Sequence, residues 1–172
     1  PLKSRSISIL KSENIENIFD ANRKMRIEQE VCSVDLINKQ ISSLLGLENK
    51  YHLFVEFEGD KGNFKDAEYK RFCKLKSKAY SKIAQEGYTQ IENIKSFSDG
   101  VAEIISYLEE KKIPYFSNLA SGFFYCFFKA EEKDKRKFFL DFAKKLRTKI
   151  SYNFGIGLTH KEFLDHSEKE II

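Results

Sequence analysis

The segment from residue 113 to residue 128 constrains the fold of this chain most strongly. Two runs typical of strands, IPYFSN and FFYCFF, flank the short turn LASG, and this arrangement predicts a β-hairpin. The second run, Phe123–Phe128, is apolar at every position, as expected for a strand that is covered on both faces. We therefore expect the hairpin to lie in the interior of a sheet, with other elements packed around it.

Composition places the chain among ordinary globular proteins. It has 172 residues, of which 41% are hydrophobic and 33% charged, and this excludes a disordered chain. The longest apolar run is far too short to cross a bilayer, so no membrane association is predicted. The net charge of +4 allows a nucleotide or nucleic-acid partner without arguing for one.

The cysteines argue against a disulfide framework or a zinc site. Cys32, Cys73 and Cys126 are odd in number and far apart, and they form no C-x-x-C pair. This usage predicts a reducing compartment, the cytoplasm.

Periodicity predicts an α+β protein. Strands are expected at residues 6–10, 51–57 and 151–157 in addition to the hairpin, and the tract 88–95 fits either a loop or an edge strand. Helices are predicted from a cap at Ser12 to Met25, from Ser33 to Gly46, over 65–86, from a cap at Ser96 to Lys112, over 131–150 and from a cap at Thr159. Residues 51–172 would form an antiparallel sheet with helices on one face. Residues 1–50 would form an extra, mostly helical layer packed on it.

Three acids follow one another at the end of the strand 51–57 and in the loop after it. Alternation places Glu56 and Glu58 on the same face of the strand, while Asp60 lies in the glycine-containing loop beyond it. Carboxylates are the ligands that Mg²⁺ prefers, so these acids are either a metal and nucleotide site or a solvated strand end.

Three segments together resemble a known family of nucleotide-joining domains. They are LFVEFEGDKG at 53–62, the helix and hairpin at 97–128, and FGIGLTHKEF at 154–163. They resemble the palm of GGDEF diguanylate cyclases and of the CRISPR polymerase domain, and look most like the minimal CRISPR polymerase, which makes cyclic oligonucleotide signals. The resemblance implies a palm-like fold of the ferredoxin/RRM type for residues 51–172.

The resemblance also implies residue roles. Such palms use two Mg²⁺ ions, held by carboxylates from the first strand and from the hairpin turn, to join nucleotides. The implied catalytic residues are Glu56, Glu58 and Asp60, with Glu58, Asp60 and Asp99 as metal ligands. The implied nucleotide-binding residues are Lys61, Ser121, Gly122, Gly155 and Gly157. The hairpin turn departs from the family because it has no acid and offers only the hydroxyl of Ser121.

Three alternatives stay open at individual positions. Gly155 and Gly157 either admit a base or phosphate close to the backbone or pack tightly against a neighbouring helix. Asp99 either completes a carboxylate pair with Glu58 or Asp60 or caps the helix that follows it. The aromatic residues of Phe123–Phe128 either stack on bases, as in RNA-recognition sheets, or pack in the core.

The sequence thus leaves three functional hypotheses. The first is a cyclic (oligo)nucleotide synthase that joins NTPs with Mg²⁺, as a dimer. The second is a catalytically silent palm that binds a nucleotide, RNA or a protein partner. The third and weakest is a metal-dependent nuclease that uses the same acids.

Overall fold

An eight-stranded sheet forms the centre of the computed structural model, which describes residues 4–25, 30–65, 67–96, 100–146 and 150–151. The elements in chain order are β1 (Arg5–Ser12), α1 (Ile15–Met25), β2 (Val31–Ile37), α2 (Lys39–Leu44), β3 (Tyr51–Glu58), β4 (Phe64–Lys65), α3 (Ala67–Gln85), β5 (Gln90–Ser96), α4 (Val101–Glu110), β6 (Tyr115–Asn118), β7 (Phe123–Phe128), α5 (Lys133–Lys145) and β8 (Ile150–Ser151). No helix among these is long and apolar enough to span a bilayer.

All neighbouring strands of the sheet are antiparallel. Their order is β4-β1-β3-β2-β6-β7-β5-β8, in which β4 and β8 contribute two residues each. The predicted hairpin is confirmed as β6 and β7. It lies inside the sheet because β6 also pairs with β2 and β7 also pairs with β5. The elements from β5 to β8 follow a β-α-β-β-α-β order.

The mostly helical layer predicted for the first fifty residues is not confirmed, because β1 and β2 lie inside the sheet on either side of β3. The helix predicted from Ser33 is wrong over its first half. Residues Val34 and Leu36 of β2 point into the core, and α2 begins only after Asn38. The Asn38 side chain accepts a hydrogen bond from the backbone N–H of Ile41 at 3.0 Å, which caps this short helix.

Helices cover both faces of the sheet, so the prediction of helices on one face is wrong. Residues Ile18 of α1 and Phe139 of α5 pack, with α4, on the face to which β7 contributes Phe124. Residues of α2 and α3, among them Ile83, pack on the opposite face against Phe127. The uniformly apolar sequence of β7 follows from this arrangement, because both of its faces are covered.

The tract 88–95 is largely a strand rather than a loop, and Ser96 ends this strand, β5, instead of capping a helix. The backbone N–H of Ser96 donates to the Gly122 carbonyl at 2.8 Å, which ties β5 to the hairpin turn. Helix α4 begins at Val101. Asp99, the glycines Gly155 and Gly157, and the capped helix predicted from residue 159 lie outside the described residues.

A buried histidine gives the stability of this fold a pH dependence. His52 is 2% exposed, and its Nδ1 lies 2.9 Å from the Ser42 hydroxyl and 3.0 Å from the Lys50 carbonyl. Burial lowers the pKa of His52 below its usual 6.5. The unfolded chain therefore binds this proton more readily than the folded one. Stability is complete above about pH 6.5 and falls as the pH drops toward the lower folded-state pKa.

We expect urea unfolding to show this loss as the pH falls from about pH 6.5 to pH 5.5. The variant His52→Gln should lose less stability over the same interval, because it has no proton to take up there. An equal loss of stability in both proteins would show that His52 does not contribute to the pH dependence.

Candidate functional site

A pocket of about 380 Å³ lies between α3 and the sheet, over β2, β6 and β7. Its volume is within the range of about 300–1,000 Å³ that is usual for small-molecule sites. Four aromatic side chains of its lining, here called the aromatic wall, are Tyr80, Phe116, Phe123 and Tyr125. Four polar side chains of its lining, here called the polar end, are Asp35, Lys76, Asn118 and Ser121. The two groups adjoin, because Asn118 and Phe123 are register partners.

Strand pairing builds the aromatic wall. Phe116 of β6 and Tyr125 of β7 are register partners, so their rings lie side by side with centroids 4.9 Å apart. Tyr80 of α3 meets Phe116 edge to face at 5.3 Å. Phe123 and Tyr125 are only half-buried, whereas Phe124 between them points into the core on the other face. Part of the ring surface of Phe123 and Tyr125 is therefore accessible at the pocket.

A hydrogen-bond network fixes the polar end. The Asp35 carboxylate accepts from the Ser33 hydroxyl at 3.1 Å, from the Asn118 amide at 3.0 Å and from the Lys76 ammonium at 2.7 Å. Lys76 reaches Asp35 from α3, and this ion pair joins α3 to β2 at the pocket. These hydrogen bonds hold the Asp35 carboxylate in place. The side chain is 17% exposed and lines the pocket.

The hairpin turn lies next to this network. The turn contains Ser121 and Gly122, two residues of the predicted nucleotide site. The backbone N–H and the hydroxyl of Ser121 both donate to Asn118 Oδ1, at 2.9 and 2.7 Å. Gly122 has φ +76° and packs against the Ser96 carbonyl. Of these two predicted residues, the structure brings Ser121 to the pocket lining.

The predicted catalytic acid Glu56 serves as an anchor between elements. It is buried and accepts hydrogen bonds from the Arg5 guanidinium of β1 and, at 2.9 Å, from the Tyr69 hydroxyl of α3. Burial and the bond to Glu56 raise the pKa of Tyr69 to about 12. The bond to Glu56 is also the main cause of the raised pKa of Arg5. These contacts commit the Glu56 carboxylate to holding the fold together.

The other described residues of the predicted site lie at the C-terminal end of β3. Glu58 ends that strand, and Asp60 and Lys61 follow it in the loop. The Lys61 ammonium binds the Glu30 carboxylate at 2.8 Å, and this hydrogen bond lowers the pKa of Glu30. The hydroxyl of Ser4 lies 3.5 Å from the Asp60 carboxylate.

The strand order separates these acids from the hairpin turn. Strand β2 lies between β3 and β6, and the strand that pairs with β7 is β5 rather than β3. Within the ranges that the structure describes, no group of three acid, histidine or cysteine side chains could hold a metal ion. The described residues therefore do not fit the two-Mg²⁺ site that the resemblance implies, in which Glu56, Glu58 and Asp60 would converge with the turn.

No family model matches this chain, and no curated protein sequence matches it significantly. The site must be interpreted from its own geometry.

The sequence does not mark Asp35, Lys76 or Tyr80 as site residues. Asp35 lies in the segment VCSVDLI, whose part from Ser33 onward falls in a predicted helix, although the alternation of this segment is a usable strand signal. Lys76 and Tyr80 lie on the helix predicted over 65–86, and nothing local in the sequence shows which strands that helix covers.

Proposed function

We propose that this protein is a binding module that holds a nucleotide base in the pocket, as a free nucleotide or within single-stranded RNA. The observation that carries this proposal is the aromatic wall. Its half-buried rings at Phe116, Phe123 and Tyr125 line a pocket that also has a fixed polar end.

Stacking on such rings supplies binding energy for any base. Stacking of a base on an aromatic side chain is worth about 1–3 kcal/mol, and it tolerates sequence changes because every base has a π-face. Two ammonium groups lie near the pocket lining. Lys95 Nζ is 5.4 Å from the Phe123 ring centroid, and Lys76 Nζ is 5.6 Å from that of Phe72, a further lining residue. Lys95 supplies positive charge that attracts a phosphate, while Lys76 offsets the charge of Asp35, with which it forms an ion pair.

Synthesis of a cyclic nucleotide by a palm-type, Mg²⁺-dependent dimer is the second proposal. The β-α-β-β-α-β order from β5 to β8 supports it, because ferredoxin-like units have this order. A further supporting observation is that β5 ends at Ser96, against the hairpin turn and three residues before Asp99. Catalysis would then depend on Asp99 more than on Glu56.

We expect replacement of either accessible ring to weaken binding about tenfold or more, which corresponds to about 1.4 kcal/mol of lost stacking. The variants are Tyr125→Leu and Phe123→Leu, and the measurement is isothermal titration with CMP and with a mixed-sequence RNA hexamer. The control is Phe138→Leu, because Phe138 is 63% exposed on α5 and lies outside the pocket lining.

The two ligands separate the two sources of the base. If the hexamer binds much more tightly than CMP, the natural ligand is RNA. If the two bind equally tightly, the natural ligand is a free nucleotide. If both pocket variants bound as tightly as Phe138→Leu, the proposed site would be wrong.

Mass spectrometry of samples incubated with NTPs and Mg²⁺ tests the second proposal. We expect a cyclic product from the unchanged protein and none from Asp99→Ala. Absence of a product from the unchanged protein would contradict the second proposal.

A further inference from the structure

We infer that the polar end of the pocket selects bases that carry an exocyclic amino group, so that cytosine binds more tightly than uracil. This inference rests on the proposed function and concerns the same pocket. Asp35 is the residue that would make the selection.

The Asp35 carboxylate has room for one more donor. An ionised carboxylate only accepts hydrogen bonds and has about four lone-pair positions. Among the described residues, Ser33 and Lys76 donate to Oδ2, and Asn118 donates to Oδ1. One acceptor position therefore remains on Oδ1, and Asp35 lines the pocket.

The neighbouring polar groups are already committed. The Asn118 amide donates to Asp35 and, at 2.8 Å, to the Ser33 hydroxyl, while its oxygen accepts both hydrogen bonds from Ser121. This pattern fixes the orientation of the Asn118 amide, because its oxygen faces donors and its nitrogen faces acceptors. The Asp35 carboxylate is thus held in one orientation and presents an acceptor to the ligand.

An acceptor at this position discriminates between pyrimidines of nearly equal size. Cytosine has an amino group at position 4, which donates, whereas uracil has a carbonyl oxygen there, which accepts. The amino group of cytosine can fill the open position on Oδ1, while the oxygen of uracil would face a carboxylate. Adenine also carries an exocyclic amino group on its Watson–Crick edge and belongs to the same class of ligand.

The ion pair with Lys76 keeps this carboxylate compatible with an anionic ligand. The Lys76 ammonium is 2.7 Å from Asp35, and its side chain is 55% exposed at the edge of the pocket. The positive charge offsets the repulsion that an isolated carboxylate would exert on a phosphate. Loss of Lys76 should therefore weaken binding of every nucleotide by a similar factor and leave base preference unchanged.

The test is a titration of the full chain with CMP and with UMP at one salt concentration. We expect CMP to bind about tenfold more tightly. The variant Asp35→Asn, which has nearly the same shape and can either donate or accept, should bring the ratio close to one. The matched comparison is Lys76→Gln, for which the ratio should stay near its original value while both affinities fall.

The outcomes separate this inference from the proposed function. Equal affinities of the unchanged protein for CMP and UMP, both reduced in Tyr125→Leu, would overturn the inference and leave the pocket as a general base site. Failure of both nucleotides and of the RNA hexamer to bind would overturn the proposed function as well. If Asp35→Asn does not fold, the ratio in the unchanged protein and in Lys76→Gln still decides.

Discussion

Replacement of Gly122 with alanine is expected to destabilise the protein by about 3 kcal/mol. Gly122 has φ +76°, a backbone conformation that costs a residue with a Cβ atom about 1–2 kcal/mol. A Cβ atom there would also lie 2.2 Å from the carbonyl oxygen of Ser96. Since that oxygen belongs to the backbone, the clash can be relieved only if β5 and the hairpin turn move apart.

The matched control for this prediction is Gly46→Ala. Gly46 has a similar φ of +74°, but a Cβ atom there would meet nothing within 4 Å. This variant should therefore show the conformational cost alone, about 1 kcal/mol. Urea unfolding of both variants measures the difference. Equal losses of stability would mean that the close approach of Gly122 to Ser96 is not a constraint on the fold.

Replacement of Arg136 with methionine is expected to cost about 3–5 kcal/mol, because it removes the guanidinium that binds a buried carboxylate. Glu92 of β5 has a side chain that is 2% exposed, and it is bound by the guanidinium of Arg136 from α5. On the same face of the sheet, the pKa of the Cys126 thiol is raised, first by burial and then by the charge of Glu92. The surroundings are therefore poor at stabilising an unpaired negative charge.

Two comparisons isolate this effect in urea unfolding experiments. The double variant Glu92→Gln, Arg136→Met should recover much of the lost stability, since it removes the charge that Arg136 compensates. Lys11→Met breaks the pair between Lys11 and Glu48, whose side chains are about half exposed, and should cost far less stability. A cost for Arg136→Met no larger than that of Lys11→Met would contradict this account of the buried pair.

The sequence predicted those strands and helices whose residue pattern is recognisable without knowledge of the strand order. The hairpin was predictable because two apolar strands flank a short turn, and α3 was predictable because its periodicity runs unbroken from Ala67 to Gln85. Strand β2 was missed because apolar residues at Ile37, Ile41 and Leu45 recur at helical spacing across the junction between β2 and α2. The segment is a strand because it pairs with β3 and β6, and this pairing joins residues that are far apart in the sequence.

The site was predictable only in part, at the hairpin. The resemblance to palm domains implied Ser121 as a binding residue, and base stacking was one of the two interpretations of the aromatic residues of Phe123–Phe128. The pocket itself exists because β2 pairs with β6 and α3 crosses over both, which brings Asp35 and Lys76 to the same place. Conversely, Glu56 looks available in the sequence, but side chains from β1 and α3 bind its carboxylate.

We propose above that a nucleotide base binds in the pocket lined by the aromatic wall and the polar end. An NMR titration of the ¹⁵N-labelled protein with CMP tests it most directly, because it shows which backbone amides respond. We expect the largest shift changes at Asp35, Asn118, Ser121 and Tyr125. Changes confined to the loop that contains Asp60, with the hairpin turn unaffected, would contradict it.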